Sequence, residues 1–337
     1  MRDDAANPTG AARRVLVTGG AGFIGSHIVE LLLARGDDVV VVDNLSTGVR
    51  ANLPEPHGRL RFVQADLREW LLDQSTEGAQ FQEIYHMAAA VGVELIIEDP
   101  IGSIETNTEQ TSALLRYASA MPSRPAVLVA SSSEVYGKSD RVPFREDDDV
   151  VYGPTTATRW SYACSKALDE YLALAHHRAH GLGVVVVRLF NTVGPRQVGR
   201  YGMVLPRFVA AALANEPLRV FGDGEQVRCF CDVRDVSRAL VDLLGSPSAR
   251  GSIFNVGSES AISIHDLART VVEILGSQST IVRVPYDEAY GPGFEDLQRR
   301  VPDLTRLRAA IAFEPEHDLA DTIRAVAEAM GPAGVSP

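Results

Sequence analysis

Apolar residues in the first half of the chain fall in short runs, separated by longer stretches of mixed polarity. Val15-Leu16-Val17 is apolar without alternation, and similar runs recur at 38–42, 61–63, 83–86, 126–130 and 184–189. Runs of this length, apolar toward both faces, predict strands buried inside a sheet. Between them, 24–33, 106–118 and 162–180 carry apolar residues at helical spacing. Strands alternating with helices predict parallel βαβ units, hence an α/β fold built on a doubly wound, mostly parallel sheet.

The pattern changes after Leu189. Gly194-Pro195-Arg196, Glu216-Pro217 and Gly222-Asp223-Gly224 break the chain into short helices and loops, and 253–257 reads as one more strand. This predicts a cofactor domain over 1–189, to which 230–260 returns. A smaller, discontinuous C-terminal substrate lobe would be made from 190–229 and 261–330.

Thr18-Gly19-Gly20-Ala21-Gly22-Phe23-Ile24-Gly25 lies between the first strand and the first helix. Gly19, Gly22 and Gly25 allow a tight turn, close backbone approach and close helix packing, so a pyrophosphate can meet the helix N-terminus. Asp43 ends the second strand roughly 20 residues on, where a carboxylate accepts both ribose hydroxyls and repels a 2′-phosphate. The sheet is therefore of the Rossmann kind and the expected cofactor is NAD, not NADP. Phe23, Ile24, Asn44 and Ala88 join these residues as expected cofactor contacts. Asp66, with Leu67 beside it, is either an adenine contact or a loop cap.

Composition narrows the partners. A chain of 337 residues that is 45% apolar has ample core for one large domain or two packed ones. No run approaches the roughly 18 apolar residues that span a bilayer, so no membrane partner is expected. The opening MRDDAANPTGAARR lacks an apolar segment and reads as a lead-in rather than a secretory signal. Cys164, Cys229 and Cys231 lack the spacing of a disulfide framework or a metal site, which fits a reducing cytoplasm and no metal. A net charge of −12 argues against nucleic acid. An anionic ligand would need a few localised arginines to hold it against that field.

The GxxGxxG spacing, Tyr162-Ala163-Cys164-Ser165-Lys166, His86-Met87-Ala88-Ala89-Ala90, Asn107 and Arg188-Leu189-Phe190-Asn191 together resemble the extended short-chain dehydrogenase/reductases that act on sugar nucleotides. The resemblance runs from Val15 to about Pro315. Tyr162 and Lys166 are one helical turn apart and share a face. A lysine ammonium and the positive charge of an oxidised cofactor both favour phenolate, which can take a hydroxyl proton as hydride leaves the same carbon. Counted back from Val135-Tyr136-Gly137, Ser132 matches the family's catalytic hydroxyl; Ser133 is the alternative and otherwise a substrate contact.

Family members diverge after oxidising the sugar at C4. Dehydratases carry an Asp-Glu pair in the serine run, whereas Ser132-Ser133-Glu134 resembles UDP-glucuronate decarboxylases, as do Gly153-Pro154, Arg159-Trp160-Ser161-Tyr162 and Arg300-Val301-Pro302-Asp303. Val301 replaces the usual lysine, and 90–98 departs from the eukaryotic-type pattern. The resemblance implies catalytic roles for Ser132, Glu134, Tyr162, Lys166 and Arg300. It also implies a UDP-sugar substrate contacted by Ser133, Asn191, Arg228 and Arg300. Local backbone bonding is the other reading of Glu134, and a surface ion pair with Glu295 or Asp296 that of Arg300. Arg196 reads as structural. Decarboxylation of UDP-glucuronate to UDP-xylose or a 4-keto-pentose is the implied reaction. A UDP-sugar 4-epimerase and a catalytically silent NAD-binding regulator are the alternatives. Helices 106–118 and 162–180 resemble the pair that forms an intersubunit four-helix bundle, implying a homodimer.

Overall fold

The computed structural model describes residues 12–74, 80–90, 99–199, 203–285, 288 and 298–331. Its centre is an all-parallel sheet of seven strands in the order β11-β6-β5-β4-β1-β2-β3. The strands are β1 (Arg14–Thr18), β2 (Asp38–Asp43), β3 (Leu60–Gln64), β4 (Glu83–His86), β5 (Ala126–Ser132), β6 (Gly183–Leu189) and β11 (Ser252–Val256). Each predicted strand is present and parallel to its neighbours.

Successive residues of a strand face opposite ways, and β1 shows the consequence. Val15 and Val17 pack into one apolar layer with α1 (Phe23–Ala34) and α6 (Val233–Gly245). Leu16 packs into the other, with α2 (Leu67–Leu72) and α3 (Pro100–Ala120). Helix α4 (Trp160–His180) lies along α3 on that second face. With both faces covered, the strands have no polar side to show, which is why their sequences do not alternate.

Beyond β6 the chain builds a separate apolar cluster from α5 (Val204–Leu213), α7 (Ile264–Leu275), α8 (Leu319–Met330), β8 (Leu218–Phe221) and β13 (Ile281–Val284). Two further pairings are small. Strand β9 (Val227–Cys229) is flanked by β12 (Ala261–Ser263) and β14 (Arg299–Arg300), and β7 (Thr192–Val193) pairs with β10 (Cys231–Asp232). The sequence reading took this region for helices and loops, because strands of two to four residues are too short to display a period.

Gly19 stands at φ +67°, and a Cβ there would lie 2.7 Å from Ala88 N. A Cβ on Gly25 would come within 2.2 Å of the Gly19 carbonyl oxygen. These two positions must be glycine for the turn to fold under the start of α1 and against the end of β4.

Candidate active site

Strand order reverses between β1 and β4, and the C-terminal ends of the strands open there into one cavity of about 910 Å³. A crevice at that switch point is where open α/β sheets bind ligands. Every site residue expected from the sequence lines it.

At the nucleotide end, Gly22 precedes α1 with no side-chain cap, and the first turn carries no acidic residue. The opening amides of the helix can therefore receive an anion. Asp43 closes β2 and is buried, its Oδ2 accepting from Ala21 N at 2.9 Å and its Oδ1 from Leu45 N at 2.8 Å. These bonds fix the carboxylate at the cavity wall, and each oxygen keeps further accepting capacity. Asp66 caps α2 by accepting from Arg68 N and Glu69 N and also receives Gln110 Nε2 at 3.1 Å. It lines the cavity as well, so the cap and the contact are compatible. The turn, the helix start and the acid fit a dinucleotide.

At the other end, β5 stops at Ser132 and the chain turns into a short 3₁₀ helix, Ser133–Tyr136. Ser132 caps it, its Oγ accepting from Glu134 N at 3.2 Å. Ser132 and Ser133 both line the cavity wall with Tyr162, and Ser133 is buried. Tyr162 sits in the first turn of α4, whose direction is set where Glu170 binds Arg188 of β6 at 2.8 Å and receives Ser131 Oγ at 2.5 Å.

Among this chain's own groups the Tyr162 hydroxyl is pushed well above its ordinary range. Burial is the main cause, the Glu134 carboxylate the second, and only Ser132 opposes them. The Lys166 charge is matched by Asp169, whose Oδ2 receives Nζ at 2.9 Å with both side chains buried.

Glu134 meets two guanidinium groups. Its Oε1 accepts from Arg300 Nη1, and its Oε2 lies 3.5 Å from Arg159 Nη2. Arg300 is buried, not a surface group. Glu295 and Asp296, its other expected partners, lie outside the described residues, as does 91–98. Arg300 is the strand partner of Arg228, so two buried guanidinium groups enter the cavity from adjacent strands. Asn191 lines the same wall and donates Nδ2 to Cys229 O at 3.3 Å. Arg196 binds Glu30 and Ser26. A positive cluster thus stands in a chain of net charge −12.

Sequence reasoning assigned no role to Arg159 or Asp169. The available signal was spacing, since Arg159 lies three residues before Tyr162 and Asp169 three after Lys166.

This geometry has a match among known proteins. The model of the NAD dependent epimerase/dehydratase family matches residues 15–257. The chain belongs to this family. It is an enzyme, and its cofactor is NAD. A UDP-N-acetyl-alpha-D-glucosaminuronate decarboxylase of Bacillus cytotoxicus is 40% identical over 320 residues, covering 93% of this chain and 97% of the relative. UDP-glucuronic acid decarboxylase 1 of Arabidopsis thaliana is 33% identical over 317 residues, covering 93% of this chain and 69% of the relative. Among solved structures, a Thermus thermophilus UDP-glucose 4-epimerase complexed with NAD superposes with a TM-score of 0.79 at 31% identity, covering 94% of this chain and 98% of that one. Among the described residues no helix is long and apolar enough to cross a membrane, and no group of His, Cys, Asp or Glu is arranged to hold a metal ion.

Proposed function

We propose that the enzyme decarboxylates a UDP-hexuronate after oxidising it at C4. The observation that carries this reading is Glu134 held between Arg159 and Arg300 in the cavity that also holds Ser132 and Tyr162. A C5 carboxylate is what guanidinium groups beside the oxidation site can hold, and loss of that carboxylate separates this reading from a 4-epimerase.

Tyr162 takes the C4 hydroxyl proton, with Ser132 bonded to the same oxygen and Lys166 one turn behind. NAD, when bound, accepts the hydride from C4. The resulting ketone is β to the carboxylate, so the C5–C6 bond breaks with its electron pair passing into a C4–C5 enolate, and carbon dioxide leaves. Tyr162, now protonated, and Ser132 stabilise the O4 charge. Arg300 and Arg159 orient the carboxylate before it departs. Glu134 keeps that carboxylate from settling too deep, or positions the water that protonates C5. Asn191 and Arg228 hold the diphosphate. The product is the UDP-pentose if hydride returns, or the 4-keto-pentose if it does not.

The sequence pointed to UDP-glucuronate. The higher identity to the decarboxylase of the 2-acetamido sugar, 40% against 33%, favours UDP-N-acetylglucosaminuronate instead. Measuring carbon dioxide release from both uronates decides it. A kcat/KM at least tenfold higher for the acetamido sugar supports this choice, and the reverse ratio restores the glucuronate reading.

We also infer a cofactor domain over 1–189 with 230–260, a substrate lobe over 190–229 and 261–330, a cytoplasmic setting consistent with three free cysteines, and a homodimer. Ile101, Ile104, Leu168 and Tyr171 stand exposed on α3 and α4 and supply an apolar surface for the pairing.

A further inference from the structure

Behind the Glu134–Arg300 pair, three fully buried residues that the chemistry above does not use join the two segments carrying it. Tyr136 closes the 3₁₀ helix on which Glu134 stands. Its ring stacks on Phe144, with centroids 4.6 Å apart and planes 4° from parallel. The Arg188 guanidinium stands 4.7 Å from the centre of the same ring. Phe144 pairs by its backbone with the residues that follow Arg300. Its N–H donates to Val301 O and its carbonyl oxygen accepts from Asp303 N, both at 2.8 Å. Asn255 of β11 ties the two together. Its Oδ1 accepts from the Tyr136 hydroxyl at 2.6 Å, and its Nδ2 donates to Phe144 O at 2.9 Å and to Asp303 O at 3.4 Å.

Donor counting fixes this arrangement. Two backbone carbonyls can only accept, so the Asn255 amide turns its NH₂ toward them and keeps Oδ1 for the phenol proton. Both Nδ2 protons are then used, and the Asn255 backbone N–H goes to Glu146 Oε1 at 2.9 Å. At this depth an acceptor stripped of its donor has no water to turn to. Each end of the cluster is also short. Tyr136 lies two residues from Glu134, and Val301 directly follows Arg300. A shift of Phe144 relative to Tyr136 is therefore a shift of Arg300 relative to Glu134.

We propose that Tyr136 is a positioning residue, which through Asn255 and Phe144 sets the placement of Arg300 against Glu134. A functional guanidinium must be held to within about 0.5 Å by packing and hydrogen bonds behind it, and this cluster supplies both. Glu134 is shared, with Arg159 Nη2 3.5 Å from its other oxygen. If Arg300 draws back, the carboxylate keeps Arg159, and the substrate carboxylate loses one of the two guanidinium groups that orient it. Oxidation at C4 uses Tyr162, Ser132 and Lys166 and is spared.

Two measurements on the NAD-bound enzyme test this, using Tyr136→Phe, which keeps the stacked ring and removes one proton donor. The first does not depend on the reaction. Hydrogen exchange of the guanidinium protons is followed in ¹⁵N-arginine-labelled protein, with Arg300 assigned by the signal lost in Arg300→Lys. Exchange should be slow in the wild type and about tenfold faster, or more, in Tyr136→Phe. An unchanged rate overturns the proposal. The second rests on the proposed decarboxylation and uses single turnovers of whichever uronate, UDP-N-acetylglucosaminuronate or UDP-glucuronate, the wild type converts. Carbon dioxide release should fall about tenfold, short of the roughly 10²-fold of a full 1 Å misplacement, while NADH formation stays within about threefold. Adding Tyr136→Phe to Arg300→Ala should cost nothing further, because the two act through one group. Equal losses in both steps, or a full additional loss in the double variant, make Tyr136 merely structural and overturn its positioning role. If the wild type releases no carbon dioxide from either uronate, the functional reading fails while the exchange rates still decide the positioning. If Tyr136→Phe does not fold, Phe144→Leu, which removes the stack but keeps the backbone bonds, is read by the same two measurements. Loss of fold in both variants overturns the proposal.

Discussion

Glu134 and Arg300, 166 residues apart in sequence, meet as a carboxylate–guanidinium pair at the wall of the site cavity. The pair joins the end of β5 to β14, so the turn that carries Ser132 also carries the group that neutralises an arginine. A carboxylate beside a run of serines is costly unless a cation answers it, and here two do.

The pair acts on the carboxylate, not on C4. Arg300→Ala and Glu134→Gln should therefore lower carbon dioxide release by about 10²-fold, the scale for losing a preorganised charged group. NADH formation should fall much less. Measuring both products in single turnovers checks this; equal losses in the two steps would mean that the pair only holds the fold.

Tyr162→Phe removes one oxygen from a side chain that otherwise packs unchanged. Turnover should fall at least 10²-fold while NAD stays bound, as read by cofactor recovered with the purified variant. A variant keeping more than a few per cent of activity would require another base.

Asp43 sets the cofactor choice. Its buried carboxylate repels a 2′-phosphate, so NAD should bind far more tightly than NADP in calorimetry. Asp43→Asn should narrow the gap by weakening NAD, and equal wild-type affinities would contradict the assignment.

His86 should leave a mark on stability. Its folded pKa lies near 3 against an ordinary 6.5, so the unfolded chain binds the proton first. The fold is unaffected above about pH 6.5 and loses stability as pH falls below it, by at most about 1.4 kcal/mol per pH unit. Thermal melts of the wild type between pH 7 and roughly pH 5 should drop more steeply than those of His86→Gln. Parallel curves would mean that the ring is protonated in the fold.

The sheet and the cofactor turn were legible because their signals are local. Buried parallel strands must be apolar throughout, Gly19 and Gly25 are forced by contacts within a few residues or with one neighbouring strand, and Asp43 follows at a fixed distance. Tyr162 and Lys166 were legible for the same reason, lying on one turn of one helix. The Glu134–Arg300 contact was accessible only through resemblance, since no spacing rule links β5 to a two-residue strand. Arg159 and Asp169 went unassigned because a charged residue three positions from a tyrosine or a lysine is common along any helix, and only the contacts with Glu134 and Lys166 distinguish these two.

The most direct test of the whole account is the fate of the carboxyl carbon. UDP-hexuronate labelled at that carbon should give labelled carbon dioxide and a UDP-pentose or 4-keto-pentose lighter by that mass. A wild-type enzyme that releases no label, yet interconverts gluco and galacto UDP-sugars, would contradict the account and leave Glu134 and Arg300 as a structural pair in a 4-epimerase.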